Sequence, residues 1–433
     1  MSRLHITALA LATLIVPIMS TPVAGFTIAS VGWDNDDSSI APNAAYGLRG
    51  SGFSDAAARI LHPEQSRPSV NAADFTTSVI PAGYTVLDLG TLSGGTFSAA
   101  AGINNSGQVV GISDTAGGAT RGFLYNGSSL ADLGTLSGYT NSLAGDVNDS
   151  GQAAATAFNG FGTSSGFFFS SSRAFLYTNG APIDLGSLGG SFGFATGINN
   201  SSQVTGYSTT ASGATRAFLY SSGSLLDLGT LPGGSSSFGF DINDLSQVVG
   251  ITGFADGTSR ASLYSGGTLA DLGTLTGYTS STAVAISNNS QIVGYASNTT
   301  GTLRAFSYSN GAFTDLGVLS GYTSSAASDL NDVGQIVGSA FNVDGSSDVF
   351  LYDGGTLVNL NSLIPSDLGI DLFAADDINN SGQIVATGLN DDGQQRAFLL
   401  TPIPEPSTGT GLWAFGTLGL VSFLKRRIAR AAS

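Results

Sequence analysis

One unit of this chain reads Asp88-Leu89-Gly90-Thr91-Leu92, then Gly102-Ile103-Asn104-Asn105-Ser106-Gly107-Gln108-Val109-Val110-Gly111, then Arg121-Gly122-Phe123-Leu124-Tyr125. The unit recurs seven times in the 433 residues, and one glutamine marks each copy. These glutamines are Gln108, Gln152, Gln203, Gln247, Gln291, Gln335 and Gln383, separated by 44, 51, 44, 44, 44 and 48 residues. A period in this range indicates a repeat architecture in which each unit buries its apolar face against its neighbours.

Each copy divides into four apolar segments separated by turn-forming residues. In the first copy the segments are 98–104, 108–114, 121–126 and 130–136, and the breaks contain Asn, Ser and Gly. Asn and Gly tolerate the positive φ that tight hairpins require. Four short antiparallel strands per unit of this length are typical of a propeller blade. The sequence therefore predicts an all-β, seven-bladed β-propeller over residues 81–401.

An additional Asp-Leu-Gly strand precedes the first copy, and the last copy lacks this strand. Residues 85–92 carry a lone Asp-Leu-Gly strand, and the last copy stops at Leu400 without one. We expect residues 85–92 to complete the blade begun by residues 374–400, because an open array would expose two sheet edges. A β-solenoid is the alternative, but it has shorter coils and no need of this permuted edge.

An aspartate and an arginine recur together in the copies. We interpret them as a structural pair between strands; the alternative is a ring of ligand contacts around the central channel. In the sixth copy Asp348 replaces the arginine, and Asn359-Leu360-Asn361 replaces Asp-Leu-Gly. Because the arginine and the aspartate are lost in the same copy, we infer that they contact each other in the other copies. The aspartates are Asp88, Asp132, Asp184, Asp227, Asp271 and Asp315, and the arginines Arg121, Arg173, Arg216, Arg260, Arg304 and Arg396.

Composition excludes several kinds of chemistry. The chain has no cysteine and two histidines, so thiolate catalysis and His/Cys metal sites are excluded. The net charge of −16 argues against a nucleic-acid partner. We expect no cofactor and no catalytic residues; calcium at the acidic turns 344–348 and 390–393 remains an open alternative.

Both ends of the chain carry features of export. Residues 1–25, with Arg3 and an apolar run, predict a signal peptide, with a membrane helix as the alternative. Residues 26–80 form an N-terminal extension of unknown role. A Pro-Glu-Pro linker at 402–408 precedes an apolar transmembrane segment at 409–424 and a basic cytoplasmic tail at 425–433.

This ending resembles the PEP-CTERM sorting signal of Gram-negative bacteria that make exopolysaccharide. The resemblance rests on Pro404, Glu405 and Pro406, the apolar span, and the basic cluster Lys425, Arg426 and Arg427. It implies recognition by an exosortase, cleavage near the Pro-Glu-Pro motif, and release or attachment at the cell surface. A plain tail anchor without processing is the alternative.

Residues 84–401 resemble the HAF family of extracellular bacterial repeats, named for a His-Ala-Phe motif. The corresponding positions read Arg173-Ala174-Phe175, Arg216-Ala217-Phe218 and Arg304-Ala305-Phe306. Arginine replaces the histidine in six copies and Asp348 replaces it in the other, so a role requiring imidazole does not carry over. The resemblance implies an extracellular repeat protein but no particular activity.

The second copy carries an insertion between its second and third strands. It contains Phe161, Phe167, Phe168 and Phe169, a candidate partner-binding insert; a longer hairpin packed on its own blade is the alternative. We predict an exported, non-enzymatic surface or matrix module whose partners are an exosortase and exopolysaccharide or surface proteins. The alternative function is a polysaccharide-acting propeller enzyme, whose carboxylates should be non-repeated and converge near the ring axis.

Overall fold

A computed structural model describes residues 80–163 and 166–404 of the chain. The described residues form seven antiparallel sheets of four strands each, which confirms the seven-bladed propeller. The predicted signal peptide, residues 26–79 of the extension, Glu405, Pro406, the apolar segment 409–424 and the basic tail lie outside the described residues.

The strands follow the chain from blade to blade. Blade one comprises β2 (Ser98–Ile103), β3 (Val109–Asp114), β4 (Thr120–Tyr125) and β5 (Leu130–Asp132); blade two comprises β6 (Asn141–Val147), β7 (Ala153–Thr163), β8 (Gly166–Thr178) and β9 (Ala181–Gly186). Blade three comprises β10 (Gly189–Ile198), β11 (Val204–Thr210), β12 (Thr215–Ser221) and β13 (Ser224–Asp227); blade four comprises β14 (Gly234–Ile242), β15 (Val248–Phe254), β16 (Ser259–Ser265) and β17 (Thr268–Gly273).

Blade five comprises β18 (Ser280–Ile286), β19 (Ile292–Ser297), β20 (Leu303–Ser309) and β21 (Ala312–Gly317); blade six comprises β22 (Ser324–Leu330), β23 (Ile336–Phe341), β24 (Ser347–Asp353) and β25 (Thr356–Asn359). Blade seven comprises β26 (Asp371–Ile378), β27 (Ile384–Leu389), β28 (Gln395–Pro402) and β1 (Tyr84–Asp88). The first strand of each repeat contacts the first strands of both neighbouring repeats, and β26 contacts β2, so these seven strands surround the axis.

Strand β1 lies at the outer edge of blade seven. It pairs antiparallel with β28, from Tyr84 opposite Pro402 to Asp88 opposite Phe398. The strand ends at Asp88, short of the predicted residue 92, because the Asp88 Oδ1 accepts the N–H of Gly90 at 2.8 Å and Gly90 takes a φ of 72°. The same turn at Asp132 ends β5 before the predicted residue 136.

The core between blades is filled by the phenylalanine of the third strand. This side chain is fully buried in six blades. In blade one, Phe123 lies opposite Gly111. A Cβ at Gly111 would stand 2.1 Å from the Ala99 carbonyl oxygen and 3.0 Å from the Phe123 ring, so close packing requires glycine there. The six phenylalanines are Phe123, Phe175, Phe218, Phe306, Phe350 and Phe398.

The longer spacing between Gln335 and Gln383 has a structural cause. Two short 3-10 helices, Leu360–Leu363 and Ser366–Leu368, replace the Asp-Leu-Gly turn between blades six and seven. The Asn359 side chain accepts the N–H of Asn361 and so begins the first of these helices. Leu360 is fully buried in the core between these blades.

Candidate functional site at the axial opening

The recurring Asn-Asn-Ser-Gly-Gln sequence forms the turn between the first two strands of each blade. In blade one, the Asn104 Oδ1 accepts the N–H groups of Ser106 and Gln108 at 3.0 and 2.9 Å. Its Nδ2 donates to the Gln108 Oε1 at 2.8 Å. The asparagine thereby caps its own turn, as short polar side chains commonly do. Since the strands alternate in direction, all seven of these turns lie on one face of the propeller.

The second residue of each turn joins a closed circle of hydrogen bonds, which we call the rim belt. Each backbone N–H donates to the side-chain oxygen of the equivalent residue in the next blade, at 2.7 to 3.0 Å, and the circle closes from Asn380 to Asn105. Asparagine and aspartate alternate around it except at that closing step. The members are Asn105, Asp149, Asn200, Asp244, Asn288, Asp332 and Asn380.

A second set of contacts ties the same turns together. The buried Asn104 Nδ2 also donates to the Asn148 carbonyl of the next blade at 2.8 Å. Equivalent bonds occur at six of the seven blade interfaces. At the seventh, where Ser287 replaces the asparagine, Asn289 donates instead to the Asp332 carbonyl at 2.6 Å. The repeated polar residues of this motif therefore serve blade-to-blade cohesion.

Four carboxyl groups lie just inside the rim belt, and we call Asp146, Asp241, Asp329 and Asp377 the axial aspartates. The Asp146 Oδ1 accepts the N–H of the adjacent Val147 at 2.6 Å. Its Oδ2 accepts the N–H of Ile198 in the next blade at 2.8 Å. Asp241 and Asp377 make the corresponding pairs of bonds across the interfaces of blades four and five and of blades seven and one. Asp329 accepts the Ile378 N–H of blade seven at 3.0 Å.

The equivalent positions in the remaining blades are small. They are Gly102, Gly197 and Ala285, in blades one, three and five. A Cβ at Gly102 would stand 3.2 Å from the Asp146 Oδ1, and one at Gly197 would stand 3.2 Å from the Asp241 Oδ1. Small and acidic residues thus alternate around the axis, and the alternation fails where blades six and seven both carry aspartate.

Burial at the axis raises the pKa of Asp146, Asp241 and Asp329 and so favours their protonated forms. It raises the pKa of Asp146 to about 8, with the charges of Asp377 and Asp241 adding to the effect. Burial also raises the pKa of Asp241 to about 6, against the lowering effect of the Ile286 and Ile242 N–H bonds. The pKa of Asp329 is raised well above its usual range, first by burial and then by the neighbouring Asp377.

These groups line an axial cavity of about 240 Å³ that opens through the rim belt. All four axial aspartates face it, and arginine, lysine and histidine are absent from its lining. Within residues 80–163 and 166–404, no three His, Cys, Asp or Glu side chains are arranged to hold a metal ion. The opening is therefore a polar, acidic depression whose carboxyl oxygens already accept backbone hydrogen bonds.

The predicted arginine–aspartate contact is present, and it lies away from the axis. Arg121 Nε is 3.6 Å from Asp132 Oδ2, on the third and fourth strands of blade one. Three further pairs lie at 3.9 Å. In blade six the acceptor lies on the third strand and the donors follow it in the chain. Asp348 accepts hydrogen bonds from the side chains of Asn359 and Asn361.

The predicted partner-binding insert extends strands β7 and β8 into a hairpin. Its register places Phe161 opposite Phe168 and Gly162 opposite Phe167, and Phe169 opposite Gly160. Strand β6 pairs with β7 only as far as Phe158, and β9 pairs with β8 only from Ala174 onward. In the described part of the chain the end of this hairpin is therefore two-stranded. It lies on the face opposite the rim belt, since it connects the second and third strands.

The other predicted site residues are accounted for as follows. Pro404 is exposed at the end of the described chain; Glu405, Pro406, Lys425, Arg426 and Arg427 lie outside the described residues. At the acidic turn 344–348, Asp344 caps its own turn by accepting the Ser346 N–H at 2.9 Å. None of the helices described between residues 80 and 404 has the length and apolar character needed to span a membrane.

Sequence reasoning missed the axial aspartates and the rim belt. The signal was present, since the residue before the Ile/Val/Leu-Asn pair alternates between Gly or Ala and Asp, and the second turn residue alternates between Asn and Asp. Both patterns have a period of two copies. They are readable only when the copies are placed side by side on a ring.

Comparison with solved structures finds other β-propellers and proteins that contain them. The β-propeller domain of the Trilobed protease from Pyrococcus furiosus is 9% identical, with 72% of this chain and 100% of that chain covered and a TM-score of 0.47. The BP39L lectin from Burkholderia pseudomallei is 14% identical, with coverage of 71% and 98% and a TM-score of 0.41. TolB from Acinetobacter baumannii is 13% identical, with coverage of 54% and 61% and a TM-score of 0.34. No protein-family model and no curated protein matches the sequence.

Proposed function

We propose that this chain is an exported, non-enzymatic repeat module that binds partners at the cell surface or in the extracellular matrix. The observation that carries the proposal is the two-stranded hairpin of blade two, which extends beyond its blade while the repeated polar residues are used for cohesion between blades. Insertions on a rigid propeller are common positions for binding residues. The partner class is an exopolysaccharide or a surface protein.

The hairpin is tested by changing its aromatic residues. The double variant Phe167→Ser/Phe168→Ser should lose retention on polysaccharide-producing cells while keeping the melting temperature of the wild type. The matched control is Val343→Ser, because Val343 is fully exposed in the corresponding turn of blade six on the same face. Unchanged retention of the double variant would contradict a binding role for the hairpin.

The proposal includes sorting through the C-terminal segment. In it, Pro404, Glu405 and Pro406 are read by an exosortase-type enzyme, residues 409–424 hold the chain in the inner membrane, and the basic cluster stays cytoplasmic. Sequence order supports this, as does the exposed position of Pro404 directly after the last blade. Replacing residues 404–406 by alanine should leave the protein in the membrane fraction of a Gram-negative exopolysaccharide producer, whereas the wild type is released or surface-attached.

The proposal also assigns residues 85–92 the role of closing the ring. The antiparallel pairing of β1 with β28 and the ion pair between Asp88 and Arg396 support it. Closure would leave each blade four-stranded and would cover the outer edge of β28 in the last blade. Removal of residues 80–92 should therefore lower the melting temperature and promote association through β28, detectable by light scattering.

A carboxylate-based enzyme acting on polysaccharide is the second candidate. The axial aspartates meet one of its two requirements, convergence on one cavity, but not the other, since they recur in four blades. Two acids in differing environments are what glycoside hydrolysis needs. Incubating the full chain with the host's exopolysaccharide and measuring new reducing ends tests it. Release of reducing ends by the wild type, abolished in Asp146→Asn, would support the enzyme; no release would leave the binding module as the function.

A further inference from the structure

Blades six and seven meet at a pair of carboxyl groups. The N–H of Ile378 donates both to the Asp377 Oδ1 at 2.6 Å and to the Asp329 Oδ2 at 3.0 Å, which brings the two acids together. Burial and then the charge of the neighbouring Asp377 raise the pKa of Asp329. Two ionised carboxylates have acceptors and no donor, so they can only repel each other beside this shared N–H. The interface between blades six and seven therefore favours the protonated form of Asp329.

The other axial aspartates face the same cavity and extend the argument. Asp146 joins blades two and three, and Asp241 joins blades four and five, each through a backbone N–H of the following blade. Like charges in one narrow cavity oppose each other's ionisation. Four of the seven blade interfaces thus depend on acids that are held close together at the axis.

Among the described residues that line the cavity, none supplies a compensating positive charge. On the strands packed against Asp329 and Asp377, the neighbouring residues at this level are Ala285, Val337, Val385 and Gly102, which do not titrate. The titratable groups that face the pair are all acids. They are Asp146 and Asp241 across the axis, Asp376 beside Asp377 with its Oδ2 bonded to the Thr387 hydroxyl, and the rim-belt acids Asp149, Asp244 and Asp332.

We propose that the axial aspartates form a pH-sensitive clasp: protons held at the axis keep neighbouring blades together in acid, and their loss as pH rises loosens the ring at the blade interfaces that these acids join. The clasp is a property of the ring itself, so it stands whether or not the binding function proposed above is correct.

The direction follows from linkage. A group whose folded-state pKa is raised contributes stability that is present below its unfolded pKa and is lost as pH rises through the folded pKa. For Asp241 that window runs from its ordinary 3.8 to about 6, and for Asp146 from 3.8 to about 8. Within its window each such acid shifts the unfolding equilibrium constant by up to about tenfold per pH unit toward the unfolded state.

The test is a series of thermal melts of the full chain from about pH 5 to about pH 9 at constant ionic strength. We expect the melting temperature of the wild type to fall across this range. Asp329→Asn keeps an acceptor for the single backbone N–H that Asp329 receives, and Asp146→Asn keeps one of two acceptors. Neither variant can ionise at this position, so each should reduce the decrease in melting temperature with pH, whatever its effect on the melting temperature itself. The control Asp149→Asn changes an acid of the rim belt that also joins two blades but is exposed to water, and it should keep the wild-type slope.

Hydrogen exchange gives a local readout that does not depend on the variants folding well. After correction for intrinsic exchange rates, peptides covering 324–330 and 371–378 should lose protection at a lower pH than peptides covering 215–221 of blade three. A wild-type melting temperature that is constant or rises with pH would overturn the clasp. So would asparagine variants that retain the full slope, or uniform loss of protection across the blades.

Discussion

Arg396 and Asp88 form an ion pair, with 3.9 Å between Nε and Oδ2, although they belong to the last and first strands of the chain's array. The same guanidinium donates a 2.7 Å hydrogen bond to the Thr96 carbonyl, which lies just before blade one. Arg121 makes the equivalent contacts with Asp132 and with the Thr140 carbonyl of the next blade. The recurring arginine therefore joins two strands of its own blade and also reaches the following blade.

The contacts of Arg396 predict a measurable cost for its removal. Arg396→Met should lower the free energy of unfolding by about 1–2 kcal/mol, because an exposed ion pair contributes up to about 1 kcal/mol and the carbonyl bond about as much. The measurement is urea unfolding of the full chain. Arg304→Met is the control, since Arg304 has the equivalent ion pair with Asp315 and a longer, 3.3 Å hydrogen bond to the Tyr278 hydroxyl, and a smaller effect is expected. A larger loss in the control would contradict the special role of Arg396.

Blade six allows a direct test of pairing between the third and fourth strands. Asp348→Arg alone should destabilise the protein, because the arginine would face the amide groups of Asn359 and Asn361, which now donate to Asp348. Adding Asn359→Asp restores the arrangement found in the other blades. A double-mutant cycle by thermal or urea unfolding should then give a favourable coupling of about 0.5–1 kcal/mol. Strict additivity of the two changes would show that the residues do not interact.

Tyr84 of β1 is fully buried, and its hydroxyl oxygen has no hydrogen-bond partner among residues 80–163 and 166–404. A buried polar group without a partner is destabilising, so Tyr84→Phe should raise the free energy of unfolding by about 1 kcal/mol. The matched control is Tyr278→Phe, whose hydroxyl accepts a 3.3 Å hydrogen bond from Arg304 and whose loss should not stabilise. Calorimetry of both variants and the wild type gives the melting temperatures that test this prediction. A melting temperature of Tyr84→Phe below that of the wild type would contradict a destabilising, unpartnered hydroxyl at Tyr84.

The alternation of asparagine and aspartate in the rim belt predicts that exchanging one for the other lowers stability, although both residues are polar. Asn200 donates from Nδ2 to carboxylates on both sides, at 3.2 Å to Asp149 and 3.1 Å to Asp244. Asn200→Asp would replace these bonds with two repulsive contacts and should destabilise by about 1–2 kcal/mol.

The control for this change is Ser201→Asp, which adds the same charge at the next exposed position without altering the belt. Chemical unfolding at low and at high salt separates the two effects, because salt weakens repulsion between exposed charges but does not replace a lost donor. Equal destabilisation by both variants at both salt concentrations would mean that only net charge matters.

The amino-acid sequence by itself determined the number of blades, their four-stranded form and the pairing of arginine with aspartate. The period of the glutamines, the turn residues between strands and the joint loss of both partners at Asp348 and Asn359 are local signals. Such signals survive because hairpins and strand neighbours are close in the chain as well as in space.

Only the tertiary structure decided what the axis contains. The bonds between Asp146 and Ile198, and between Asp329 and Ile378, join residues of neighbouring repeats, and no local rule assigns them. The meeting of Asp329 with Asp377 arises because a two-copy alternation cannot close without a fault on a ring of seven blades. Burial around that axis then makes ordinary aspartates into acids that hold their protons, which depends on the whole ring and not on any single repeat.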